Sequence, residues 1–152
     1  MHRLDYNIIS PEGAKSLGGV YVYLSQCGLA PSLIELTYLR VSQINNCAYC
    51  LDMHGRALLE LGEKPERLVL VQAWAEAGSL FDKREQAALS SAEAVTRVGQ
   101  ANIPEPVYEA VRSVFSEKEL VDLTIAISLM NAYNRLAISF RNAPKASGSD
   151  EN

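Results

Sequence analysis

Apolar positions along this chain recur every three to four residues, and no stretch alternates with the period of two that a half-buried strand would need. The pattern is punctuated by residues that start and stop helices. Pro11 and Glu12 open a segment reaching about Gln26, with Gly28 just beyond it. Pro31 opens a second that runs through Leu33, Ile34, Tyr38, Val41 and Ile44 until Asn45 and Asn46 break it. A third starts at about Cys47 and stops at Gly62, and Pro65 starts a fourth, PERLVLVQAWAEAG. Asp82 with Glu85, and Ser116 with Glu119, are capping boxes ahead of a fifth helix ending near Gly99 and a long apolar last helix. Pro104 opens a short sixth between them. The expected fold class is all-α.

The chain has 152 residues, 48 % of them hydrophobic and 21 % charged. That length fits a single domain burying roughly two thirds of its unfolded surface. The expected domain spans residues 1–143, and the small polar tail PKASGSDEN, from Pro144, is expected to be disordered. No repeat is visible. The net charge of −4 and the lack of a basic stripe exclude nucleic acid as a natural partner. The N-terminus MHRLDYNIISPEG has neither an apolar core nor a small-residue cleavage site, so a cytoplasmic location is expected. Residues 120–140 are the most apolar run, but Asp122, Asn131, Asn134 and Arg135 interrupt it, favouring a core helix over a membrane span. Those three last residues, if buried, need partners and could link subunits or brace a site.

Chemistry concentrates in one segment, CAYCLDMHGRALLELG. At about 100° per residue, Cys47, Cys50 and His54 fall within about 60° of one another on a helix. The stripe continues through Ala57, Leu58 and Leu61, so the sulfurs are expected on the inward face. Free amides and the dipole at a helix N-terminus stabilise a thiolate, and cysteines spaced CxxC can fall well below the free-thiol pKa of about 8.5. His54, one turn past Cys50, can accept or relay a proton. Position on the helix favours Cys47 as nucleophile; proximity to His54 favours Cys50. The plainer alternatives are two core cysteines or a zinc site. Zinc would want a fourth ligand from Cys27, Asp52 or His2, none at a recognised spacing. Haem attachment is excluded because Leu51, not histidine, follows Cys50. Cys27 itself is expected to be core packing, and Trp74 and the tyrosines of VYVYL core or subunit-contact groups.

The segment QINNCAYCLDMHGRALLELGE resembles the signature of the alkylhydroperoxidase D-like (AhpD-like) proteins of the carboxymuconolactone decarboxylase superfamily. FSEKELVDLTIAISLMNAYNRLAISF resembles their long C-terminal helix. The likeness spans roughly residues 15 to 142. It implies an AhpD-like helical fold with the CxxC at the N-terminus of a central helix. It further implies a peroxidase in which Cys50 attacks a hydroperoxide, Cys47 resolves it, and Glu35, twelve residues before Cys47, relays protons with His54. No cofactor or metal is implied; the reductant would be an external dithiol, a lipoyl group or thioredoxin-like protein, and the assembly a homo-oligomer, trimer or hexamer. One departure stands out: Tyr49 occupies the place of a relay histidine, and a phenol of pKa near 10 is a poor base at neutral pH, so Tyr49 is equally read as a pocket wall. Superfamily members without the cysteine pair are acid–base lactone decarboxylases. That activity and a redox-sensing binding protein are the alternative readings.

Overall fold

The computed structural model describes residues 3–145. The expected disorder of the tail therefore falls mostly outside the described residues, as does His2. Among the described residues eight α-helices run in chain order: α1 (Tyr6–Ile9), α2 (Pro11–Leu24), α3 (Pro31–Ile44), α4 (Ala48–Glu60), α5 (Pro65–Leu70), α6 (Lys83–Thr96), α7 (Glu105–Val114) and α8 (Glu117–Phe140). Among the described residues there is no strand. Prolines occupy the first turns of α2, α3 and α5, where a missing N–H costs nothing. Both capping boxes form, each with side chain and backbone satisfying one another reciprocally.

Helix α3 is the hub, packing against α4, α6 and α8. On one side Leu33, Ile34, Tyr38 and Val41 join Ala88, Ala92, Leu123 and Ile127 in the larger core. On the other, Leu36 and Leu39 meet Leu58 of α4, Val71, Phe81 and Leu89. Burying each such aliphatic side chain contributes about 1.5–3 kcal/mol, which holds α4 against α3.

Two expectations need correction. The fourth helix breaks after Leu70 into 3₁₀ turns, Val71–Glu76 and Gly78–Leu80. Val71, Trp74, Ala77 and Leu80 all pack on the second core, and a spacing of three aligns on one face only at three residues per turn. Leu61 does not extend the inward stripe of α4 but is 51 % exposed. It is the C-cap, and Gly62 follows at φ 88°. The Gly62 amide donates to the Leu59 carbonyl and the Glu63 amide to the Leu58 carbonyl, a Schellman turn that leads the chain away. Tyr21 and Tyr23 of VYVYL, expected as core or subunit-contact groups, are 43 % and 47 % exposed within the chain, which sets aside the core alternative and leaves the subunit-contact one. Beyond these, the short α1, capped by the Asp5 side chain, was not foreseen.

The apolar helix α8 tolerates Asp122, only 2 % exposed, because the acid is paired. Lys118 Nζ lies 2.5 Å from one carboxylate oxygen and the Tyr23 hydroxyl donates to the other at 2.8 Å. Burial alone would raise this carboxyl's pKa; the bonds from Lys118 and Tyr23 outweigh it and hold the carboxyl below its usual range. Among the described residues no helix is long and apolar enough to cross a membrane.

Candidate active site

The site begins with a turn. After α3 ends, Asn45 stays right-handed and Asn46 swings to φ 56°, a left-handed conformation that asparagine accepts more readily than most residues. Cys47 then takes an extended conformation as the N-cap of α4, its sulfur accepting the Cys50 backbone N–H at 3.3 Å. The turn is tied to α8 by amides. Asn45 Nδ2 donates to Asn131 Oδ1 and Asn134 Oδ1, both at 2.9 Å, and Asn134 Nδ2 donates to Ser42 Oγ at 3.0 Å. Arg135 donates in turn to the Asn131 carbonyl and side chain. Within the chain, Asn131, Asn134 and Arg135 thus brace the turn that aims the cysteines.

Cys47 and Cys50 are joined as a disulfide with their Cα atoms 5.3 Å apart, and each is 1 % exposed. His54, one turn on, is 2 % exposed and its Nδ1 lies 2.7 Å from Glu35 Oε2 on α3. Against the other side of the imidazole lies the Tyr38 ring, centroid to centroid 5.1 Å. An ionised carboxylate only accepts hydrogen bonds, so the pairing places the proton on Nδ1. That leaves Nε2 of neutral His54 as a free base. Nε2 is buried and has no hydrogen-bond partner.

Cys50, His54 and Glu35 open onto one cavity of about 340 Å³. Its remaining wall is largely aromatic and thioether: Tyr6, Tyr21, Tyr49, Tyr133, Met53 and Met130. Burial raises the pKa of the Tyr6, Tyr21 and Tyr133 phenols, so they are neutral donors at working pH. Tyr49 is part of this wall, and among the described residues lining the cavity Glu35 supplies the carboxylate and His54 the imidazole.

The structure therefore brings together Cys47, Cys50, His54, Glu35 and Tyr49. It leaves Cys27 apart, half-buried against the larger core, with its carbonyl accepting from Lys118 at 2.9 Å. Trp74 is half-buried and donates to Glu93 at 2.9 Å, away from the cavity. Among the described residues no three His, Cys, Asp or Glu side chains gather as metal ligands. Sequence reasoning missed Tyr6, Tyr21, Tyr38, Met130 and Tyr133. Only Tyr38 carried a local signal, standing three residues after Glu35 on the same helical face.

Residues 14–94 match the carboxymuconolactone decarboxylase family. The chain belongs to that family. Within it, the chain is similar to the uncharacterized protein YdfG of Bacillus subtilis, 34 % identical over 140 residues that cover 92 % of this chain and 95 % of the relative. In three dimensions it is similar to a protein of unknown function from Agrobacterium tumefaciens, named as a candidate antioxidant defence protein AhpD. That likeness has a TM-score of 0.91 at 33 % identity, over 95 % of this chain and 98 % of the other. An uncharacterized peroxidase-related protein from Silicibacter sp. superposes with a TM-score of 0.79 at 25 % identity, over 93 % and 75 % of the two chains. The fold of this family member is AhpD-like, with the cysteine pair at the start of α4.

Proposed function

We propose that this protein is a thiol-dependent peroxidase that reduces organic hydroperoxides through the Cys47/Cys50 dithiol. The observation that carries this reading is the single cavity shared by Cys50, by His54 with its unpartnered Nε2, and by Glu35. In the dithiol state His54 Nε2 takes the Cys50 proton, and Glu35 stabilises the imidazolium. The thiolate attacks the distal oxygen, the O–O bond breaks, and the proton returns from His54 to the leaving alkoxide, giving alcohol and a Cys50 sulfenic acid. Cys47 then displaces water from that sulfenic acid and the disulfide forms. An external dithiol reduces it by two exchange steps, becoming a disulfide itself.

The wall of tyrosines and methionines suits an uncharged alkyl or aryl hydroperoxide. The burial of both sulfurs supports a reductant slim enough to enter the cavity, such as a lipoyl arm, over one needing a broad exposed disulfide. Exposed apolar side chains at Ile8, Ile9 and Val22 support the proposed homo-oligomer. Replacing Cys50 with serine is expected to abolish hydroperoxide consumption while leaving the fold intact. Near-normal turnover in that variant would refute the assignment.

A further inference from the structure

Glu35 lines two cavities. The first holds Cys50 and His54. The second, about 130 Å³, is lined by Tyr21, Ser25, Leu29, Ile34, Glu35 and Tyr38. Tyr38 is 1 % exposed, yet its hydroxyl has no hydrogen-bond partner. Burial and the nearby Glu35 charge push this phenol's pKa well up, so it remains a donor at any working pH. A carboxylate has about four acceptor sites, and the bond to His54 uses one on Oε2. A bridging water needs roughly 10–15 Å³, far less than the space present.

We propose that Tyr38 is a positioning residue of the relay: its hydroxyl holds a water against the Glu35 carboxylate in the second cavity. This cavity, opening past the exposed Ser25, is the passage through which Glu35 exchanges protons with solvent while the first cavity is filled. The inference rests on the Glu35–His54 relay proposed above. In the reductive half-reaction the incoming dithiol sheds two protons as it becomes a disulfide, and Cys47 and Cys50 take up one each, so no net proton is exchanged. The two exchanges are separate steps, and in the interval between them a shed proton must be held on the relay or passed to solvent. With the reductant's arm filling the first cavity, an apolar plug blocks exchange there. The titratable groups facing Glu35 and Tyr38 are Tyr21 from α2, Cys27 from the following loop, His54 beside Cys50 from α4, and Tyr133 from α8. None of them is a permanent cation, so the contacts available to the Glu35 carboxylate are hydrogen bonds and not a fixed positive charge.

The test is the single-turnover oxidation of reduced protein by cumene hydroperoxide across pH, and its re-reduction by dihydrolipoamide, in wild type and three variants. Tyr38→Phe removes only a hydroxyl without a protein partner, so a melting temperature at or above that of wild type is expected. Its acid limb should move upward by about half a pH unit, with the dependence on peroxide concentration unchanged. Ser25→Met, at the mouth of the second cavity, should slow re-reduction about threefold. Glu35→Gln separates the two claims. If it is slow while Tyr38→Phe superimposes on wild type, the positioning role is overturned and the relay survives. If Ser25→Met re-reduces at the wild-type rate, the passage is overturned. If Glu35→Gln oxidises at the wild-type rate, the relay falls and this inference with it.

Discussion

Helix α3 carries two ionic groups five residues apart, Arg40 buried and Glu35 half-buried, and they are treated in opposite ways. Arg40, 9 % exposed, is fully engaged: its guanidinium lies 2.6 Å from Glu93 and donates also to Gln43, while Trp74 donates to the same Glu93 oxygen. Glu35, on the other face, engages one nitrogen of His54 and leaves the second nitrogen and the neighbouring Tyr38 hydroxyl unpaired beside cavities. A satisfied buried network locks a fold, and an incompletely satisfied one keeps a group available for a reaction. The contrast separates structure from chemistry along a single helix.

The sharpest way to break that contrast is to neutralise each group in turn. Glu35→Gln keeps a hydrogen-bonding side chain but cannot stabilise an imidazolium. A fall of about a hundredfold in the rate of Cys50 oxidation is expected, with little change in melting temperature. Arg40→Ala should do the reverse. Removing one partner of a fully buried pair costs 3–5 kcal/mol, but Glu93 is about a quarter exposed and keeps the Trp74 bond, so about 2 kcal/mol is expected. That lowers the melting temperature by about 4–8 °C in a chain of this size, with the oxidation rate near normal. A slow Arg40→Ala or an unstable Glu35→Gln would dissolve the distinction.

Asn134 lies between the two regimes. It is 0 % exposed and ties the Asn45 turn and Ser42 to α8. Asn134→Leu leaves those partners short of a bond, so about 1–2 kcal/mol of stability should be lost. Because the turn aims Cys47, thiol alkylation kinetics should change as well. An altered melting curve with unaltered alkylation would confine Asn134 to scaffolding.

The smallest expected effect lies at the start of α8. The Arg84 guanidinium, helped by the Ser116 backbone, holds the Glu119 carboxyl at about 2 against an ordinary 4.5. A depressed carboxyl stabilises the fold above its unfolded pKa and loses that contribution as pH falls through its folded value. The stability gap between wild type and Glu119→Gln should therefore be constant near neutrality, below about 1 kcal/mol, and close between about pH 4.5 and pH 2. Urea titrations at stepped pH would show it.

Most helix starts were legible because proline and capping boxes act locally: Pro31, Asp82–Glu85 and Ser116–Glu119 needed no tertiary information. The 3₁₀ stretch was written in the spacing of Val71, Trp74, Ala77 and Leu80, but that spacing competes with an α-helical reading until the core face is known. Leu61 was placed on the inward stripe because periodicity alone does not say where α4 stops; Gly62 does. Cys47, Cys50 and His54 were legible as a group because three residues on one turn-spaced face need only helix geometry. Their bracing by Asn131 and Asn134 was not, since the bonds to Asn45 cross 86 and 89 residues. Glu35 reached the site by family resemblance alone, nothing in its own neighbourhood marking it out, and the tyrosine wall is assembled from four separate helices.

The most direct measurement is mass spectrometry of the fully reduced protein after one equivalent of an organic hydroperoxide. The account predicts loss of two hydrogens as Cys47 and Cys50 join, with Cys27 unchanged, and in Cys47→Ser a gain of one oxygen located on Cys50. Oxidation of Cys50 no faster than that of a free cysteine, or an oxygen found first on Cys27, would contradict it.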